Sequence, residues 1–271
     1  MKLFIAIDLE GICGVVSEAD TAREGAAAER ARAHMRADLD AVLEGCAAAG
    51  ADQAVICDAH DDGRNLDPTD LPGFATLISG SPAPGSMLEG LGPDCDGALF
   101  VGYHARAGAQ AAVLEHTWNY KVYAASVGGL EIGEFGVGAL LAGEMGVPAV
   151  YLSGDDKAAA EARTLVPGIA TTVVKTGLRR EAAAFPPPDV ARARMTADVE
   201  AALRAKALPA PLAWSGEPLR LTFTRVQFCD LAETCPGTAR LDGRTLQIGG
   251  ATFAEVYKAF LACLRLSEAA G

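Results

Sequence analysis

Four short runs that are apolar throughout constrain this chain more than any other feature. They cover about residues 2–8, 54–57, 97–103 and 148–152. A strand with one wet face alternates apolar and polar residues, whereas a strand apolar at every position is covered on both faces. Helical patterns separate the runs. Met35, Leu39, Val42, Leu43 and Cys46 fall on one stripe, and Gly50 follows as a C-terminal cap. A helix over about 134–144 precedes the run at 148–152, and Asp155 or Asp156 caps the Ala-rich helix after it. Buried strands alternating with helices predict an α/β unit over residues 1–180, a largely parallel sheet with flanking helices.

After residue 180 the pattern changes. Pro186, Pro187 and Pro188 mark a break, and a long helix is expected over about 189–206. Residues 219–228 alternate as a half-buried strand does, and 240–248 form a hairpin around Asp242 and Gly243. A closing helix over about 252–266 carries Phe253, Val256, Tyr257, Phe260, Leu261 and Leu264. Residues 181–271 therefore read as a smaller α+β domain. A further hairpin, 120–132, turns at Gly128 and Gly129.

Charge and cysteine content exclude several function classes. Of 271 residues, 35 are acidic and 23 basic, a net charge of −12. No basic surplus exists to neutralise phosphates, so nucleic acid is not an expected partner. Seven cysteines, none spaced C-x-x-C, predict buried thiols rather than disulfides or a cysteine zinc site. The stretch 135–154 is apolar, but Glu144, Pro148 and several glycines interrupt it. It reads as helix, turn and strand, not as a membrane span. The apolar start reaches Asp8 too soon for a secretory leader, and a cytoplasmic location is expected.

The chemistry gathers where the runs end. Asp8 and Glu10 follow the first run, two residues apart and so on one face if the strand continues. Two carboxylates side by side at the mouth of a buried strand repel each other and are costly to desolvate. A cation resolves both problems. Two of the four histidines, His60 and His104, also follow directly from strand ends. Open α/β sheets bind ligands beyond the carboxyl ends of their strands, so Asp8, Glu10, His60 and His104 converge on one crevice. Imidazole with carboxylate and no thiolate suits zinc, manganese or iron. Two of each exceed what one catalytic zinc needs, which favours a dinuclear site with a bridging carboxylate. His116, within Leu114-Glu-His-Thr-Trp118, reads as another strand end and is either a satisfied polar residue or a catalytic base. His34, off the apolar stripe of its helix, reads as a surface residue.

These residues also carry a resemblance. The opening Met1-Lys-Leu-Phe-Ile-Ala-Ile-Asp8-Leu-Glu10-Gly-Ile is similar to that of the zinc-dependent D-aminopeptidases. So are Asp58-Ala-His60, Ser86-Met-Leu-Glu-Gly90, Gly102-Tyr-His104-Ala-Arg106, His116-Thr117, Ile132-Gly-Glu134 and Ser153-Gly-Asp-Asp156. The matches come in the family's order over roughly residues 1–180. The resemblance implies a two-zinc aminopeptidase with metal ligands Asp8, Glu10, His60, His104 and Glu134, Asp8 bridging the metals and His116 catalytic. It also implies a ring-shaped homo-oligomer, a decamer, acting on short peptides. Only the resemblance promotes Glu134, since a glutamate after Gly133 is otherwise an ordinary partner for a helix dipole.

The implied reaction removes an N-terminal residue, D-configured by resemblance, through water activated by the metal pair. Zinc brings a bound water's pKa toward ~7. His116 would then stabilise the oxyanion or deliver a proton to the leaving amine. Two other classes use similar residues. A dinuclear phosphoesterase needs cations to hold phosphate, and only Arg106 is at hand. A non-catalytic metal- or ligand-binding protein has no need of His116.

Overall fold

The computed structural model of the chain describes residues 1–270. In chain order its elements are β1 (Lys2–Ile7), α1 (Ala26–Ala48), β2 (Gln53–Asp58), β3 (Ala75–Ile78), β4 (Gly97–Tyr103), β5 (Val122–Val127) and β6 (Leu130–Glu131). There follow α2 (Glu134–Glu144), β7 (Ala149–Asp155), α3 (Asp156–Leu165), β8 (Ala170–Arg179), β9 (Ala182–Ala184) and α4 (Pro188–Leu203). The last are β10 (Leu219–Phe223), α5 (Val226–Ala232), β11 (Thr238–Arg240), β12 (Thr245–Ile248) and α6 (Phe253–Glu268).

Seven strands form the main sheet, ordered β3-β2-β1-β4-β7-β8-β9. All neighbours are parallel except the last pair, β8 and β9. The expected largely parallel α/β sheet is what the chain forms. Strand β1 shows why its sequence is apolar at every position. Leu3, Ile5 and Ile7 enter one core with residues of α1 and α4, such as Met35, Leu39, Met195 and Val199. Phe4 and Ala6 enter the other core, with Phe100, Phe135 and the second sheet. Burying an aliphatic or aromatic side chain of this kind stabilises by roughly 1.5–3 kcal/mol, so β1 draws on both faces.

A second, antiparallel sheet has the order β11-β12-β10-β5-β6. The division between sheets does not follow the one expected at residue 180. The hairpin β5–β6 leaves the first span to pair with β10, and α4 leaves the second span to pack on α1. The expected strand over 219–228 stops at Phe223. Phe228, Cys229 and Ala232 are buried at helical spacing, and α5 packs there against α6. Among the described residues no helix is long and apolar enough to cross a membrane.

The chain order reverses beside β1. From β1 the chain passes outward through β2 and β3, then returns to place β4 on the other side. Loops leaving β1 and β4 therefore diverge, and the gap between them is the fold's natural crevice. Here the two loops touch through backbone. The Asp8 N–H donates to the Val101 carbonyl at 2.8 Å and the Gly11 N–H to the Gly102 carbonyl at 2.7 Å. Gly102 has φ of 68°, and a Cβ there would lie 2.3 Å from the Asp8 carbonyl oxygen. The Gly102→Ala variant is expected to lose about 1–3 kcal/mol or more through strain and clash. Thermal denaturation checks this. Gly50→Ala, at φ of 89° but with nothing within 4 Å of the new Cβ, is expected to lose less.

Candidate metal centre

Each expected site residue lies at or just beyond the end of a main-sheet strand, in a connecting loop, or at the start of α2. Asp8 and Glu10 leave β1, His60 leaves β2, and His104 leaves β4. Glu134 opens α2, the helix after the β5–β6 hairpin. His116 lies in the irregular segment between β4 and β5, with a single isolated bridge beside it, so the expected strand end is not there. Asp8, Glu10, His60, His104 and Glu134 are all buried, and His116 is only slightly exposed. His34 stands apart and is half-buried, its Nδ1 2.9 Å from an Arg192 guanidinium nitrogen. It is less exposed than a surface residue off the apolar stripe was expected to be.

Backbone carbonyls decide how the three imidazoles face. His60 Nε2 lies 3.1 Å from the Thr21 carbonyl, His104 Nδ1 2.9 Å from that of Ala105, and His116 Nδ1 2.9 Å from that of Leu114. A carbonyl only accepts, so each of these nitrogens carries the proton. In the neutral ring the other nitrogen is then a lone pair, and all three point at carboxylates. His60 Nδ1 is 3.0 Å from Glu10 Oε2 and 3.3 Å from Asp8 Oδ1. His104 Nε2 is 3.5 Å from Asp8 Oδ2 and 3.4 Å from Glu134 Oε1, and it is buried without a hydrogen-bond partner among the described residues. His116 Nε2 is 3.7 Å from Glu134 Oε1. The rings of His104 and His116 stack with centroids 4.0 Å apart.

Lone pairs facing lone pairs in a buried place need a proton or a metal cation between them. Without a metal the titration shifts are those of such a frustrated cluster. Burial, and then repulsion from Glu10, push the Asp8 carboxyl up to about 7. Burial opposes the charged forms of His60 and His104, but Glu10 and Glu134 outweigh it and raise both imidazoles well above their ordinary value. Their charge in turn holds Glu10 and Glu134 low against burial. Burial and then neighbouring His104 lower His116.

The donor set fits a divalent cation on chemical grounds. It is nitrogen and oxygen only, buried, and it includes the orphaned His104 Nε2. One donor atom from each of Asp8, Glu10 and His104 lies within 4.8 Å of the others, and so it is for His104, His116 and Glu134. Asp8 turns one carboxylate oxygen toward His60 and the other toward His104.

Supporting contacts hold these groups in place. Asp58 accepts from the Asn65 and Leu66 N–H groups and from the Asn65 amide, shaping the loop that carries His60. Glu161 accepts from the N–H groups of Arg106 and Gly133, tying the His104 loop to the start of α2. The Trp118 N–H donates to Glu134 Oε1 at 2.6 Å. Beside the cluster is a cavity of about 490 Å³, lined by Asp8, Glu10, His60, His116 and Glu134 and walled in part by Met87, Trp118, Leu261 and Leu264.

Fold and site together define a class: an α/β protein with a buried carboxylate–imidazole centre at the switch point of its parallel sheet. Residues 1–262 match the family model described as D-aminopeptidase, and the chain belongs to that family. It is 32% identical over 269 residues to the D-aminopeptidase of Bacillus subtilis (strain 168), covering 98% of each chain. Its structure is similar to that of the zinc-dependent D-aminopeptidase DppA from Bacillus subtilis, described as a self-compartmentalizing protease. The TM-score is 0.95 at 31% identity, over 99% of this chain and 98% of the other.

The raised Asp8 carboxyl has a testable sign. A group whose folded pKa exceeds its unfolded value favours folding at low pH, and that contribution is lost as pH rises through the folded pKa, here about 7. The loss runs from the unfolded value of about 4 up to about 7, so in protein stripped of divalent cations Asp8→Asn is expected to raise the melting temperature more at pH 8 than at pH 5. Differential scanning calorimetry of the two proteins at both pH values checks this.

Proposed function

We propose that the chain is a metal-dependent aminopeptidase that removes an N-terminal D-amino acid from short peptides, with two zinc ions per chain. One observation carries the reading. Three imidazoles, each pinned through one nitrogen by a backbone carbonyl, turn their free nitrogens toward three buried carboxylates, and His104 Nε2 has no other partner. Asp8, Glu10, His60, His104 and Glu134 are the proposed ligands that would hold the zinc, and Asp8 would serve both ions, since each of its oxygens faces a different imidazole. Zinc supplies Lewis-acid chemistry at a peptide carbonyl.

The chain's own residues do the rest. Of the further acids lining the cavity, Glu18 and Asp61 are ion-paired with Arg180 and Arg23, which leaves Glu268 to suit a substrate that arrives with a free ammonium. Met87, Trp118, Leu261 and Leu264 give its side chain an apolar wall and exclude water. His116 holds its proton on Nδ1 against the Leu114 carbonyl and presents an unprotonated Nε2 to the cavity, where it would take a proton from the attacking water and pass it to the leaving amine.

Hydrolysis of a D-amino-acid amide panel tests the reading. Chelator is expected to abolish activity and zinc to restore it, with the L-amides cleaved more slowly. His116→Ala is expected to keep its metal content and lose ~10²-fold or more in turnover. Loss of metal in that variant would make His116 a ligand instead, and unchanged turnover would make it structural.

We further propose a homo-oligomeric ring, a decamer, enclosing the active crevices in a cytoplasmic enzyme. Its support is the likeness to a self-compartmentalizing relative and the exposure of Tyr123 and Leu130 on the second sheet, at 61% and 49%. The seven buried, unpaired cysteines fit a reducing compartment. Light scattering is expected to give a mass many times the 27.9 kDa chain, and a monomer mass at all concentrations would refute assembly.

A further inference from the structure

Lys175 is the one lysine among the largest fully buried side chains. It sits on β8, in register with Asp155 of β7, and among the described residues no acid forms an ion pair with it. Its ammonium instead reaches into the loop that leaves β1. Nζ donates to the carbonyl oxygens of Glu10 at 2.5 Å, Ile12 at 3.0 Å and Val15 at 2.7 Å. An ammonium has three donors, and all three are used on one turn of backbone.

The same turn is held from its other side. The Gly11 N–H donates to the Gly102 carbonyl and the Cys13 N–H to Asp38 Oδ2 at 2.9 Å. A Cβ at Gly11 would lie 2.2 Å from the Tyr103 carbonyl oxygen, so the loop is pressed against β4 with no slack. Carbonyls 10, 12 and 15 thus converge on one cation, the Ile12 carbonyl also accepting from the Val15 N–H at 3.3 Å, while the N–H groups of Gly11 and Cys13 point elsewhere. A peptide segment does not turn three carbonyls to one point in an apolar core unless a cation is there to receive them. That turn carries Glu10, whose carboxylate faces His60 at 3.0 Å.

We propose that Lys175 is a positioning residue for the metal centre: from β8 its ammonium sets the backbone of residues 10–15 and so the direction of the Glu10 carboxylate. The inference rests on the reading of Glu10 as a metal ligand. Lys175 does not touch the substrate, and its effect is on how tightly metal is held. Residues one step behind metal ligands typically change metal affinity by ~10–100-fold when removed.

Zinc affinity, read by competition with a chromogenic chelator and normalised to folded protein, is the test. Lys175→Met keeps the length and removes the donors. It is expected to weaken zinc binding ~10–100-fold relative to wild type. Val174→Ala, next on the same strand and also buried, is the control for simple loss of stability. It is expected to lower the melting temperature with zinc affinity unchanged. Should Lys175→Met not fold, Lys175→Arg keeps the charge but spreads its donors over a planar fork that does not match the three carbonyls, and it too is expected to bind zinc more weakly. Zinc affinity equal to wild type in a folded Lys175 variant would overturn the proposal while leaving the metal reading intact. Failure of the wild-type protein itself to bind zinc would remove both.

Discussion

The arrangement on which the rest of this structure depends is unfavourable in isolation. Three imidazole nitrogens and three carboxylates face one another across 3.0–3.7 Å in a buried crevice. Acceptors turned toward acceptors repel, and burial removes the water that would relieve them. Protons can soften the conflict, as the raised imidazoles and the raised Asp8 carboxyl show. A pair of cations is the account we propose for why the conflict is built in at all.

The fold makes such a cluster possible by paying for it elsewhere. Strand β1 is buried on both faces and reaches the crevice rigidly, and β4 lies against it as the chain reverses direction. Backbone contact between the two loops, with Gly11 and Gly102 in the gap, leaves Asp8 and Glu10 little freedom. The histidines owe their orientation to carbonyls of Thr21, Ala105 and Leu114, none of which supplies chemistry itself. Orientation costs nothing at the moment of reaction when it is settled in folding.

Much of this was legible in the amino-acid order. Runs apolar at every position foretold the parallel sheet, and polar residues at their ends foretold where Asp8, Glu10, His60 and His104 would meet. What stayed hidden has physical reasons. The short strands β3 and β9 carry only half-buried or exposed residues, and β8 mixes these with buried ones without a clean period. The second sheet joins β5 to β10 across a long stretch of chain, a pairing that no local pattern encodes. Glu134 looks like any glutamate at a helix start, and only the likeness to a family raised it. The three carbonyls that orient the histidines leave no mark on a sequence. Lys175 did leave one, a charge directly after Val173 and Val174 in mid-strand, but its partners are backbone and so were invisible.

The central claim is that these buried ligands exist to hold two metal ions. Elemental analysis of carefully purified protein tests it most directly. The account predicts about two zinc-like ions per chain, both lost in Asp8→Ala because that carboxylate faces both His60 and His104. Fewer than half an ion per chain, with full hydrolytic activity, would contradict it.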